Sequence, residues 1–192
     1  SPVTLWARKH NIAEASQAKL SQSIFADQTF DLFVIAAYGK ILKKEVLDIP
    51  KKGTLNIHPS LLPKFRGPSP IQETILRDES ETGVSIILTD KLVDHGPILD
   101  QRKISVEPKD DGITLSNKLW TLAANFINET VDNYLAGRLT LREQDHSSAT
   151  FTKMLDRGDA EIMWEESAQV IERKIRAFLL WPGTWTDIGD LR

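Results

Sequence analysis

Three short apolar runs constrain the fold of this chain: Leu32 to Ala37 (LFVIAA), Thr54 to His58 (TLNIH) and Val84 to Leu88 (VSIIL). Runs of this length, rich in β-branched residues and bounded by breakers such as Asp31 and Gly39, read as strands. LFVIAA has no polar position and is expected to be buried on both faces. Between the second and third runs, Ser69 and Pro70 supply a cap and a first helical position for a helix over Ile71 to Arg77. Ile98 to Val106 has strand character, with polar residues of the kind tolerated at a sheet edge. Asp111 and Gly112 open a long helix whose Leu115, Leu119, Ala123, Phe126, Val131 and Leu135 share one face, and Gly137 stops it. Strands alternating with helices predict an α/β fold with a doubly wound, mostly parallel sheet.

The flanks are less regular. Val3 to Lys9 is an isolated extended-to-helical piece, and the polar stretch Glu143 to Thr150 lacks periodicity and reads as a linker. Ser167 caps a helix running to Leu180, with Val170, Ile171, Ile175, Phe178 and Leu179 on its apolar face and Trp181-Pro182-Gly183 ending it. Arg173, Lys174 and Arg176 read as its solvated face, and Trp164, Trp181 and Trp185 as packing residues with apolar neighbours. The resulting division is a main domain over 1–142, a linker over 143–159 and the beginning of a further domain over 160–192.

The 192 residues are 41% hydrophobic, enough for a buried core, and carry 24 basic against 27 acidic side chains, a formal charge of -3. That balance advertises no general surface for polyanions. With no cysteine, a disulfide scaffold, a thiolate metal site and a thiol nucleophile are excluded together. No apolar run approaches a membrane span. There is neither a GxGxxG fingerprint nor a P-loop, and Ser60 lacks a nucleophile elbow. The histidines lack metal-ligand spacing, so no metal is expected.

The chemistry concentrates in Asn56-Ile57-His58-Pro59-Ser60-Leu61-Leu62-Pro63-Lys64-Phe65-Arg66-Gly67. In a strand, Asn56 and His58 project to the same face, and Pro59 ends the ladder just beyond them. A second turn, Asp90 to Pro97, follows the next strand. Adjacent parallel strands would bring both turns to one crevice at the carboxyl edge of the sheet, where Asp94 can reach His58. A carboxylate beside an imidazole favours the charged ring, so the pair is expected to titrate around or above neutrality. Asn56 and His58 can then hold an oxyanion while Asp94 relays a proton, which suits acyl transfer without a covalent intermediate. His95 reads as a pocket-rim residue, and His10 and His146 as exposed.

NIHPSLLPKFRG followed by LVDHGPIL resembles the folate-dependent formyltransferases. The resemblance implies a Rossmann-like formyltransferase domain that takes a formyl group from 10-formyltetrahydrofolate, with Asn56, His58 and Asp94 as its catalytic residues. It implies a folate-binding loop at Ser60, Leu61, Leu62 and Pro63, and a pterin-lining segment Tyr38-Gly39-Lys40-Ile41-Leu42 with Leu42 as the contact. Glu81-Thr82-Gly83-Val84 and the block from Ala149 to Trp185 are similar to the branch whose formyl acceptor is initiator methionyl-tRNA. A branch acting on nucleotide-linked aminosugars is the alternative, and a noncatalytic folate-binding or RNA-interacting module a further one. The family's opening strand and helix and its C-terminal barrel have no counterpart in this sequence. A piece of a longer protein is therefore expected, monomeric and cytoplasmic or in an organellar matrix, with much of the tRNA-contacting surface outside it.

Overall fold

The computed structural model describes residues 2–14, 22–25, 28–40 and 42–189; Ile41, part of the pterin-lining segment implied by the family resemblance, lies outside them. Four strands form one sheet in the order β1-β2-β3-β4: β1 Phe33–Ala36, β2 Thr54–His58, β3 Glu81–Leu88 and β4 Ile98–Ser105. The helices that pack on it are α3 (Pro70–Leu76), α4 (Gly112–Leu135) and α5 (Ala168–Ala177), with short α1 (Pro2–Lys9) and α2 (Lys44–Leu47) earlier in the chain.

The expected alternation of strands and helices holds, whereas the strand directions differ from a mostly parallel sheet. β1 and β2 are parallel, but β2 with β3 and β3 with β4 are antiparallel. The short span from Leu88 to Ile98 explains the second of these, since a parallel return needs a crossover of a dozen or more residues. Nor is LFVIAA buried on both faces. β1 is at the edge of the described sheet, and Val34 keeps 47% of its surface. α4 packs over the middle of the sheet and leaves that face of β1 uncovered.

One face of the sheet makes the main core. Leu55, Ile57, Val84, Ile86 and Leu99 pack against Leu115, Leu119, Ala123 and Phe126 of α4, with Ile75 of α3 and Ala177 and Phe178 at the end of α5 completing the cluster. The long helix begins where its sequence signals it: Asp111 accepts from the amides of Ile113 and Thr114, and Thr114 reciprocates on the Asp111 amide. It stops at Gly137 (φ +68°), with Gly137 N–H on Tyr134 O and Arg138 N–H on Asn133 O, so the last turn's carbonyls are satisfied. Ser69 precedes Pro70 as expected, but its hydroxyl donates to the Lys153 carbonyl instead of capping α3.

α5 is shorter than expected, and its apolar face is covered only in part: Val170 and Ile171 are half-buried and Phe178 is buried, whereas Ile175 and Leu179 are exposed. Ser167 accepts from Val170 N–H, but the helix ends at Ala177. Arg176 donates to the Asp110 carbonyl, Lys174 to the Glu161 carbonyl and Glu166, and Arg173 to Asp78. The three cations therefore face the protein. Ile175, Leu179, Trp164 and Trp181 stay exposed, and only Trp185 packs against the core. The helix thus buries the cationic side chains in part alongside its apolar ones, with backbone carbonyls taking Lys174 and Arg176.

Leu119→Ala is expected to destabilise the fold by about 2–5 kcal/mol through cavity formation, and Asp111→Ala by about 0.5–2 kcal/mol through loss of the cap. Urea denaturation of the two variants measures both losses.

Candidate active site

The opposite face of the sheet carries Asn56 and His58 of β2, paired across to Ile87 and Ser85 of β3. Residues directly opposite in an antiparallel pair share a face, so these four side chains form one patch. Two loops close over it, residues 59–69 after β2 and residues 89–97 after β3.

Ser85 pins the first loop. Its buried hydroxyl donates to Ser60 O (2.7 Å) and accepts from Leu62 N–H (3.1 Å) and Gln101 Nε2 (2.8 Å), while Gln101 also donates to Leu62 O. Ser60 is fully buried, with its hydroxyl on the Lys64 carbonyl, and Leu62 packs with Ile87 and Ile98. Leu61, Pro63 and Leu42 are half-buried and keep surface accessible to a ligand.

The second loop starts at the wrong end of the sheet for the simple picture of two neighbouring turns. Because β3 is antiparallel, Leu88 lies opposite Leu55, and Thr89 N–H bonds Thr54 O at the amino end of β2. Asp94 reaches the site because the loop doubles back along the sheet. Leu88 N–H closes it on Pro97 O, and Gly96 lies so close to Leu88 that a Cβ there would sit 1.8 Å from the Leu88 carbonyl oxygen. Only glycine fits that approach.

The doubling back brings the three candidate residues together. Asn56 Nδ2 donates to Asp94 Oδ1 at 3.0 Å, Gly67 N–H donates to Asp94 Oδ2 at 2.8 Å, and the same Oδ2 lies 3.5 Å from His58 Nδ1. On its other side the His58 ring donates Nε2–H to the Phe65 carbonyl at 2.9 Å. A carbonyl can only accept, so in the neutral ring Nδ1 is the bare nitrogen and faces the carboxylate. Both backbones flanking the ring are left-handed at non-glycine residues, Phe65 (φ +60°) and Asp94 (φ +47°). Such conformations cluster where geometry is held for function.

Burial decides the electrostatics. His58 is 4% exposed, and desolvation lowers its pKa below the ordinary 6.5, outweighing the opposing pull of the Asp94 charge and the Phe65 carbonyl. The ring is thus neutral at neutral pH, where the Asp94 carboxylate alone would have held it charged. Arg66, 3% exposed, has its pKa lowered by burial against the opposing charges of Asp94 and Asp90.

Sequence reasoning missed a further set of groups. Arg66 Nη2 donates to Gln144 Oε1 (2.7 Å) and to His146 Nδ1 (2.9 Å), and Gln144 Nε2 donates to the Asp94 and Gly96 carbonyls. His146, exposed as expected, stacks on His95 with ring centroids 3.9 Å apart, and His95 Nδ1 donates to Asp90 (2.6 Å). His10 is exposed and stacks on Trp6. No periodic signal marks these polar residues, and the partners of Arg66 and Gln144 are distant in sequence. Among the described residues no group of three acidic or histidine side chains could hold a metal, and no helix is long and apolar enough to cross a membrane.

A family model for formyl transferase matches residues 1–131, and one for the formyl transferase C-terminal domain matches residues 154–192. The chain belongs to the formyl transferase family. A methionyl-tRNA formyltransferase of Roseiflexus sp. (strain RS-1) is 49% identical over 156 residues, covering 81% of this chain and 48% of that protein. One from Chloroflexus aurantiacus (strain J-10-fl) is 41% identical over 189 residues, covering 96% of this chain and 61% of that protein. The chain spans about half the length of the curated relatives it matches. The fold is shared with the N-formyltransferase from Helicobacter canadensis, solved in complex with folinic acid and dTDP-3-aminofucose (TM-score 0.73, 20% identity, 91% of this chain, 62% of that one). The α/β domain of this chain is therefore the Rossmann-like formyl transferase domain, built on a mixed sheet.

The lowered His58 pKa has a defined sign. Below 6.5 the unfolded chain binds a proton that the native ring resists, so stability falls as pH drops through that window. The thermal midpoint of the wild type should fall more between about pH 7.5 and about pH 5.5 than that of His58→Gln; equal falls in the two proteins rule out a buried neutral imidazole.

Proposed function

We propose that this chain carries the catalytic centre of a methionyl-tRNA formyltransferase, which moves the formyl group of 10-formyltetrahydrofolate onto the amino group of initiator methionyl-tRNA. The observation that carries the reading is the meeting of Asn56, His58 and Asp94 on one sheet face, in a chain 49% identical to an enzyme of that name.

The amine attacks the formyl carbon and forms a tetrahedral adduct. Asn56 spends one amide hydrogen on Asp94 and has the other for the developing oxyanion. The neutral ring accepts the amine's proton at Nδ1, with Asp94 Oδ2 3.5 Å away to stabilise the imidazolium. The charged ring then supports the oxyanion and returns the proton to N10 as the carbon–N10 bond breaks. Tetrahydrofolate leaves with that proton, so one is taken and one given.

The folate assignments divide by burial. Leu61, Pro63 and Leu42 offer surface to the pterin, while Ser60 and Leu62 act from inside by holding the loop's shape. No protein metal is needed for this chemistry. Soluble co-substrates suit a cytoplasmic or organellar-matrix enzyme.

The aminosugar acceptor is favoured by the names of solved structures that are only 15–21% identical to this chain. Formyl transfer assays with methionyl-tRNA and with a dTDP-linked aminosugar separate the two, and only the tRNA is expected to be formylated. Asn56→Ala, His58→Ala and Asp94→Ala should each lower turnover by about a hundredfold or more. Calorimetry with a stable 10-formyltetrahydrofolate analogue should show much smaller changes in affinity. Near-normal turnover in any one variant removes that residue's role.

A further inference from the structure

We propose that Gln144 is a positioning residue of this centre, gripping the backbone of the Asp94 turn so that the carboxylate stays against Asn56 and His58. Its catalytic consequence rests on the formyl-transfer reading; its structural consequence rests on geometry alone.

Gln144 is 5% exposed within a segment whose neighbours Glu143, Asp145 and His146 are all exposed. Every hydrogen-bonding capacity of its amide points inward. Nε2 has two hydrogens and donates to two carbonyls, Asp94 O at 2.9 Å and Gly96 O at 2.7 Å. Oε1 accepts twice from one guanidinium, Arg66 Nε at 3.2 Å and Nη2 at 2.7 Å.

The register of the segment is fixed independently. Arg142 and Ile98 exchange both backbone hydrogen bonds, at 2.8 and 2.9 Å, as an antiparallel bridge. Two residues further on, Gln144 falls beside Gly96, and its side chain continues the pairing where the left-handed turn at Asp94 interrupts a regular ladder. Arg66 in turn sits between Phe65, whose carbonyl receives His58 Nε2–H, and Gly67, whose amide donates to Asp94 Oδ2. One amide group thus links the two left-handed residues on either side of the catalytic ring.

The chemistry demands an amide. Glutamate in the same shape keeps an oxygen for Arg66 but sets the other against two carbonyl oxygens, and methionine fills the space with no hydrogen bond at all. In both variants Asp94 is released from the ring while Asp90, His95, His146 and Arg66 remain unchanged in identity.

The test uses the full chain with Gln144→Met and Gln144→Glu. NMR titration of the His58 imidazole reads the placement of Asp94 without turnover. With the nearby charge released, the His58 pKa is expected to fall by about one pH unit below wild type. In formyl transfer, kcat is expected to fall by about ten- to a hundredfold while KM for the folate stays within about twofold. A His58 titration identical to wild type in both variants overturns the proposal, as does unchanged kcat beside an active wild type. Failure of both variants to fold also overturns it, marking Gln144 as a residue the fold itself requires. An inactive wild-type chain in which the His58 shift is still seen counts against the proposed function and supports the placement.

Discussion

The carboxylate of Asp94 is the junction on which the site depends. It receives Asn56 from β2 on one oxygen and the Gly67 amide from the first loop on the other, and that second oxygen also faces His58. Three chain segments meet at one charged group that is largely removed from water. Hydrogen bonds to an ionised acceptor in such surroundings are roughly twice as strong as neutral ones. The carboxylate is thereby satisfied by neutral donors before the imidazole makes any claim on it, which lets the ring remain uncharged at 3.5 Å.

Charge balance around that junction comes from Arg66. The guanidinium is buried among neutral acceptors, Gln144 and His146, and forms no direct ion pair among the described residues, although it feels the charges of Asp94 and Asp90. Arg66 is thus held near Asp94 without occupying the carboxylate oxygens, which Asn56 and Gly67 take. Under the proposed function, direct pairing would have tied up the carboxylate that the imidazole needs once it takes up a proton. Under that function the arrangement leaves the resting ring free to act as a base and stabilises it after proton transfer.

The legible parts of this architecture were those with a repeat. Period-two alternation put Asn56 and His58 on one face, and the apolar spacing from Leu115 to Leu135 with Asp111 and Gly137 at its ends gave α4 closely. Strand direction has no such signature, so the sheet was read as mostly parallel and Asp94 was brought to His58 by the wrong route. The actual route turns on Gly96, whose necessity lies in a contact with Leu88 that no local pattern displays. The cations of α5 are illegible for a similar reason. Arg173, Lys174 and Arg176 read as a solvated face, whereas acceptors that draw them inward come from residues 78 to 166, which are scattered in sequence. Gln144 could not be found at all, since a single buried polar residue in a polar stretch looks like its exposed neighbours.

Two non-glycine residues in left-handed backbone cost about 1–3 kcal/mol each, and something must hold Phe65 and Asp94 there. The segment from Arg142 to Thr152 does so along its length. It bonds Ile98 through Arg142, the Asp94 turn through Gln144, Phe65 N–H through Thr150 Oγ1, and both backbone groups of Arg66 through Thr150 O and Thr152 N–H. Gly67, where a Cβ would lie 2.6 Å from the Thr152 carbonyl, lets the two strands of this clamp approach. A stretch that reads as a linker is therefore what makes the strained geometry stable. Because Asn56, His58, Asp94 and their hydrogen-bond partners all fall between residues 56 and 152, the placement of these three groups follows from this one continuous part of the chain. Under the proposed function, the surfaces that choose a formyl acceptor can then vary without disturbing them.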